Sequence, residues 1–137
     1  MRIVSISENK KIEKRIAITP DIAKKYIALG LEISLPENYG EHLGFKDTTF
    51  KELGVKILKD EKEIIDSANI IVQLGLPSDD KISLVKKNQT LVGVLDPYNN
   101  KKKIDNLVKE GVNIFSLELL PRITRAQSMD ILSSQAN

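Results

Sequence analysis

The feature that most constrains the fold is a local pattern that occurs three times along the chain. The segments YIALGLEISL, FKELGVKIL and LVKEGVNIFSL each pass from an amphipathic stretch through a glycine into a short β-branched run. Gly30, Gly54 and Gly111 stand where the residue after a helix takes the left-handed conformation, which glycine adopts without a Cβ penalty. Each repeat therefore predicts a helix, a stop and a strand, the strands being 31–35, 55–58 and 112–117.

Further strands and helices fill the intervals between these repeats. Apolar or alternating runs predict strands at 2–6, 69–74 and 90–95. Helical patterns lie at 21–29, 47–53, 61–67, 79–86 and 101–110. Pro20-Asp21 and Pro77-Ser78-Asp79-Asp80 are helix starts, the second with Ser78 or Asp79 as its cap. Because strands alternate with helices, the connections are right-handed crossovers. The sequence predicts an open, doubly wound α/β domain, Rossmann-like or flavodoxin-like, with a mostly parallel sheet and helices on both faces.

The composition excludes several classes of site and partner. The length of 137 residues, 41% of them hydrophobic, suits one domain. Without cysteine there are no disulfides or thiolate metal sites, and the single His42, expected to be exposed, has no second histidine for a metal cluster. The 21 basic and 19 acidic residues are interspersed, so we expect no nucleic-acid partner. No apolar run approaches the roughly 20 residues of a membrane span, and charges interrupt the N-terminal stretch that a signal peptide would need.

Ligands of open α/β sheets gather outside the carboxyl ends of the strands. Functional residues are therefore expected in the loops after Ile6, Gln73, Leu95 and Leu117. The chain contains neither GxGxxG nor a P-loop motif, so by itself it is not expected to cradle a dinucleotide pyrophosphate. Arg15, in the charged loop ENKKIEKR, is either a surface arginine or a guanidinium turned over the first strand to hold a carboxylate or amide.

The closing stretch PRITRAQSMDILSSQAN has a capping-box spacing, Thr124 to Gln127, which predicts a helix start. As a helix it would carry a polar stripe of Gln127, Asp130 and Ser133 and an apolar stripe of Met129, Leu132 and Ala136. Gln127 is then either a helix cap or a ligand group, and Asp130 either an exposed carboxylate or a ligand group. Amide, hydroxyl and carboxylate groups beside Arg122 and Arg125 suit a carboxamide or ribose next to an anion.

This same stretch closely resembles the domain-junction signature of the NAD(H)-binding component of proton-translocating nicotinamide nucleotide transhydrogenases. The opening RIVSISENKKIEKRIAITPDIAKKYIALGLEI is similar to the start shared by that family and the alanine dehydrogenases, and ANIIVQLGLP and LVGVLDP fall at matching strands. The resemblance extends from Met1 to Asn137. It implies two Rossmann-like domains in the complete subunit: residues 1–124 form the first, and 125–137 begin the helix leading to a GxGxxG domain, which is missing here.

The resemblance also implies a nicotinamide site. Arg122 matches a mobile donor to the nucleotide, Asp130 and Ser133 match partners of the nicotinamide carboxamide, and Gln127 matches the face where the NADP(H) component docks. Gln127 and Asp130 are the residues expected at the reacting centre, although neither is an acid or base because hydride passes directly between two nicotinamides. The implied cofactor is NAD(H), with NADP(H) on a partner component, and the implied reaction is proton-coupled hydride transfer from NADH to NADP⁺.

The implied partners are the NADP(H)-binding and membrane-spanning components and a second copy of the complete subunit, in the cytoplasm at the inner membrane. The chain alone is expected to be inactive. An alanine dehydrogenase is the nearest alternative; that family holds its carboxylate substrate with an arginine, a lysine and a histidine. Arg15 matches the arginine, but Gln73 occupies the lysine position and the histidine region reads Leu95-Asp96-Pro97. An inactive fragment or docking domain is the third alternative.

Overall fold

A computed structural model describes residues 1–119 of the chain, in which six strands form one sheet. The strands are β1 (Arg2–Val4), β2 (Glu32–Pro36), β3 (Lys56–Leu58), β4 (Ile70–Gln73), β5 (Thr90–Gly93) and β6 (Asn113–Ser116). The helices are α1 (Pro20–Ala28), α2 (Asp47–Glu52), α3 (Glu61–Asp66), α4 (Asp79–Ile82) and α5 (Lys101–Lys109). Short 3₁₀ turns lie at Glu41–Leu43 and Leu117–Leu119.

The strand order is β3-β2-β1-β4-β5-β6, and each neighbouring pair is parallel. This is the Rossmann order rather than the flavodoxin order 2-1-3-4-5. The predicted doubly wound α/β fold is confirmed, and the order distinguishes the two forms that the sequence left open. Winding reverses between β1 and β4, so a crevice opens at the carboxyl ends of these two strands.

The three glycines of the repeated pattern end their helices as predicted. Gly30, Gly54 and Gly111 have φ values of 85°, 101° and 90°. After α1, the Gly30 amide donates to the carbonyl of Ile27 and the Leu31 amide to that of Tyr26, which is the Schellman pair of bonds. The same pair of hydrogen bonds recurs after α2 and α5. One local motif therefore ends each helix and leads into β2, β3 and β6.

The two predicted helix starts differ. Thr19 caps α1, since its hydroxyl accepts from the amide of Ile22 at 3.3 Å. Ser78 lies at the N-cap position of α4, but its hydroxyl donates to the Asp80 carboxylate instead of accepting from the backbone. Helix α4 ends at Ile82, short of the predicted residue 86, because the amides of Leu84 and Val85 bond three residues back and the Ser83 hydroxyl donates to the Asp80 carbonyl.

The core lies on both faces of the sheet. Alternate strand residues point to opposite sides, so Ile3 packs with α1 and α2 while Val4 packs with α3 and α5. The α1 face buries Ile3, Ile22, Ala23, Ile33, Leu35, Phe50 and Val72, and the α3 face buries Val4, Ile6, Ile64, Ile65, Ile71, Leu91 and Leu107. Among residues 1–119, no helix has the length and apolar character of a bilayer span.

Candidate functional site

Two connected crevices open at the carboxyl edge of the sheet. The first, of about 280 Å³, lies where the winding reverses. Its lining is Ser7, Glu8, Asn9, Gln73, Leu76, Pro77, Ser78 and Lys81. The second, of about 400 Å³, lies toward β5 and shares Asn9, Leu76, Pro77 and Ser78 with the first. The loops after Ile6, Gln73 and Leu95 thus meet at one edge, which is where the sequence predicted functional residues.

A larger depression, of about 540 Å³, lies on the outer surface of α1. Its lining residues, Asp21, Lys24, Lys25 and Ala28, are all exposed residues of that one helix. A binding site needs walls from more than one element to bury a ligand. We therefore place the candidate site at the carboxyl edge.

Gln73, the last residue of β4, joins β4 to the end of β1. Its side chain is buried, and its carbonyl accepts from the Ile6 amide at 2.7 Å and from the Ser5 hydroxyl at 3.1 Å. Its amide nitrogen donates to the Ile6 carbonyl at 3.1 Å and to Glu8 Oε2 at 2.8 Å. Both ends of the Gln73 side chain are therefore occupied by the protein itself, which gives the residue a structural role.

Tyr39 continues this network into the α1 face. Its hydroxyl donates to Ser5 Oγ at 2.8 Å and accepts from the amides of Ala17 and Ile18 at 3.0 and 3.1 Å. Burial raises the pKa of Tyr39 well above its ordinary value, against the lowering effect of the Ser5 hydrogen bond. The phenol therefore stays protonated and ties residues 17–18 to the end of β1.

Glu8 is the acidic group among the residues that line the first crevice, and the sequence patterns did not single it out. Its carboxylate accepts from the amides of Leu74 at 2.9 Å and Gly75 at 3.3 Å as well as from Gln73. Burial raises the pKa of Glu8 above its ordinary value, although the two backbone amides lower it. Its partners are more than 60 residues away, so no local spacing could have predicted them.

Glu118 makes an equivalent contact at the end of β5. Its carboxylate accepts from the amides of Leu95 at 3.1 Å and Asp96 at 2.8 Å, and from the Ser116 hydroxyl. Burial alone would raise the pKa of Glu118, but the hydrogen bonds from Ser116 and from the backbone hold it below its ordinary value. The strand-end amides of both β4 and β5 are therefore occupied by carboxylates of this chain.

The basic side chains near the crevices also have partners. Lys81 Nζ contacts Glu61 Oε1 and the Ser7 carbonyl oxygen, each at 3.2 Å. Lys103, which lines the second crevice, pairs with Asp79 at 3.0 Å. Within residues 1–119 no group of His, Asp and Glu side chains is arranged to hold a metal ion.

Arg15 is a surface arginine, which is the first of the two alternatives that the sequence left open. Its guanidinium makes a two-pronged contact with Glu13, from Nε at 3.1 Å and from the terminal nitrogen at 2.8 Å, and 52% of the side chain is exposed. His42 is exposed as predicted, with Nε2 at 2.6 Å from the Lys14 carbonyl oxygen. Neither side chain lines the two crevices.

The residues that the resemblance assigned to the nicotinamide site are Arg122, Gln127, Asp130 and Ser133. All four lie outside the described residues, so their roles stay predictions. The boundary between a first domain at 1–124 and a helix start at 125–137 also stays a prediction. What the structure adds is the carboxyl edge from which the chain leaves after β6.

The fold and its carboxyl edge can be compared with those of known proteins. A family model described as "Alanine dehydrogenase/PNT, N-terminal domain" matches residues 5–137. The chain belongs to this family. The resemblance predicted from the sequence is therefore confirmed over nearly the whole length of the chain.

Within the family, the transhydrogenase branch is nearer than the dehydrogenase branch. An NAD(P) transhydrogenase alpha subunit of Rickettsia prowazekii is 39% identical over 141 residues, covering 100% of this chain and 37% of the relative. Alanine dehydrogenase 1 of Staphylococcus aureus is 25% identical and covers 99% and 36%. The structure of a transhydrogenase from Sinorhizobium meliloti superposes with a TM-score of 0.84 at 32% identity, covering 98% and 40%. This chain thus spans little more than a third of these relatives.

Proposed function

We propose that this chain is the first domain of the alpha subunit of a proton-translocating NAD(P) transhydrogenase, which transfers hydride from NADH to NADP⁺. The supporting observation is the 39% identity over the whole chain to a relative of that name, against 25% to an alanine dehydrogenase. In this proposal, residues 1–124 form the first domain and 125–137 begin the helix toward a second domain with the GxGxxG motif.

The described residues do not fit the pyrophosphate of a dinucleotide. The chain has no glycine-rich phosphate motif, and the amides at the ends of β4 and β5 already donate to Glu8 and Glu118. The bulk of the nucleotide therefore belongs to the second domain. The first domain would contribute to the nicotinamide end, through Arg122 as a mobile donor and Asp130 and Ser133 as carboxamide partners.

Gln127 would lie at the face where the NADP(H)-binding component docks. NAD(H) supplies the hydride when bound, and residues of this chain would position the nicotinamide and exclude water. The proposed partners are the NADP(H)-binding and membrane-spanning components and a second copy of the complete subunit. The assembly would lie on the cytoplasmic side of the inner membrane.

Two contacts argue against an amino-acid dehydrogenase. Gln73 is neutral, buried and fully hydrogen-bonded where a cation would be needed to hold a substrate carboxylate. Arg15, the other matching position, is half exposed and paired with Glu13. A carboxylate substrate would therefore meet no free cation at either position.

The test is an activity comparison with the complete subunit joined to its NADP(H)-binding component. Reduction of an NADP⁺ analogue by NADH is expected, with no oxidation of L-alanine by NAD⁺. Alanine oxidation without transhydrogenation would overturn the proposal. A parallel titration of the 137-residue chain with NADH is expected to give little or no binding, whereas micromolar affinity would mean that the main nucleotide contacts are misplaced.

A further inference from the structure

The end of β4 presents three N–H donors to a single carboxylate. The Gln73 side-chain amide and the Leu74 backbone amide donate to Glu8 Oε2 at 2.8 and 2.9 Å, and the Gly75 amide donates to Oε1 at 3.3 Å. Both oxygens of the carboxylate are therefore held by donors from three consecutive residues. Consecutive backbone amides of this kind form the concavities in which proteins bind anions.

This arrangement is repeated at the neighbouring strand. The amides of Leu95 and Asp96, just beyond β5, both donate to the carboxylate of Glu118. Glu8 follows β1, which pairs with β4, and Glu118 follows β6, which pairs with β5. At two adjacent strand ends, therefore, a carboxylate that follows the neighbouring strand accepts hydrogen bonds from two backbone amides. This repetition indicates that such a pair of amides is suited to binding a carboxylate.

We propose that the donors of Gln73, Leu74 and Gly75 form a carboxylate-binding site whose internal ligand is Glu8, and that a small free carboxylate binds there once that side chain is removed. The donors suit a planar anion with two oxygens, because they divide into two groups that each face one oxygen. Glu8 lines the 280 Å³ crevice, so its position is reachable from solvent. While Glu8 is in place, the site is closed to external anions.

The site is independent of the proposed transhydrogenase function, because it uses residues of the described domain only. It also explains how the long loop between β1 and α1 is held. Glu8 holds that loop against the end of β4, together with the Gln73 hydrogen bonds to Ser5 and Ile6, and the Tyr39 hydroxyl holds the same loop at residues 17–18.

The experiment compares ¹⁵N-labelled 137-residue chains, wild-type and Glu8→Ala, titrated with sodium formate against sodium chloride at equal ionic strength. In Glu8→Ala, formate is expected to shift the amide resonances of Leu74 and Gly75 saturably and to raise Tm, with an affinity of roughly millimolar at best for so small a ligand. Wild-type and the control Glu13→Ala, on the same loop, are expected to show neither effect. Glu13 contacts Arg15 rather than the strand end.

Two results would overturn the proposal: Leu74 and Gly75 resonances in Glu8→Ala that do not respond to formate, or responses equal to those produced by chloride. If Glu8→Ala does not fold, the wild-type chain supplies the test. The same two amides are then expected to follow the titration of the Glu8 carboxyl, beside Glu13, Lys81 and Glu61 as the other charged groups nearby. If the resonances of these two amides do not change as the Glu8 carboxyl titrates, the carboxylate does not occupy the site.

Discussion

Gln73 and Glu8, 65 residues apart, are joined by a hydrogen bond of 2.8 Å from Nε2 to Oε2. The bond is the last step of a chain in which the Tyr39 hydroxyl donates to Ser5 and Ser5 donates to Gln73. This polar line crosses the point where the sheet reverses its winding. Its members bond to one another beside the crevice where an open α/β sheet usually receives a ligand.

Ionisation of Glu8 should change the stability of the domain as the pH rises. Burial raises the pKa of Glu8 in the folded state above the ordinary 4.5. The nearby charge of Glu13 raises this pKa further, whereas Lys81, which is itself paired with Glu61, lowers it. A folded state that binds the proton more tightly than the unfolded state loses stability as pH rises from 4.5 through the folded pKa. We expect urea unfolding to show this loss in wild-type relative to Glu8→Gln.

The comparison with Glu8→Gln is needed because other carboxyls act in the opposite direction. Glu13 and Glu118 have lowered pKa values, so the stability they contribute is present above their ordinary pKa and is lost as pH falls. The contribution of Glu118 cancels in the difference between the two proteins, and that of Glu13 cancels apart from its interaction with Glu8. A difference that stays constant from pH 4 to 8 would contradict the buried environment assigned to Glu8.

Tyr39→Phe should destabilise the domain by about 1–3 kcal/mol, because it leaves buried amides of Ala17 and Ile18 without an acceptor. Chemical denaturation measures the change directly. Tyr98→Phe is the matched control: that ring is 87% exposed, so a change within about 0.5 kcal/mol is expected. Equal losses in the two variants would remove Tyr39 from the network.

Gly93→Ala should be more damaging than Gly75→Ala. A Cβ at Gly93 would lie 2.1 Å from the backbone oxygen of Gln73, so β4 and β5 would have to separate. Overpacking of this kind costs roughly 1–3 kcal/mol or more. At Gly75 the nearest atom to a Cβ is Glu8 Oε1 at 3.8 Å, an ordinary contact. Similar melting temperatures for the two variants would contradict the close approach at Gly93.

Gln127→Asn in the complete subunit should slow hydride transfer about tenfold or more while leaving NADH binding within about twofold, because a shortened side chain disturbs positioning rather than affinity. Stopped-flow kinetics and NADH titration separate the two quantities. Gln135→Asn, eight residues further along, serves as the control and is expected to change neither. Equal losses of rate and affinity in Gln127→Asn would remove Gln127 from the reacting face.

Local patterns were sufficient for the fold class, whereas the strand order that separates the Rossmann form from the flavodoxin form came from the structure. The glycine positions, the helix–strand alternation and the helix start at Pro20-Asp21 depend on interactions within a few residues, so the sequence alone predicted the doubly wound α/β domain and the edge at which a site should lie. The transhydrogenase resemblance rested likewise on contiguous stretches. Its site residues, Arg122, Gln127, Asp130 and Ser133, remain predictions outside the described residues of the chain.

Tertiary structure decided which groups occupy that edge. Glu8 reaches Leu74 and Gly75, and Glu118 reaches Leu95 and Asp96, only because parallel strands bring distant loops side by side. Nothing in the spacing of a lone glutamate distinguishes a solvated carboxylate from one buried against backbone amides. That choice depends on burial and on the direction of unpaired N–H groups, and both arise only when the sheet is assembled.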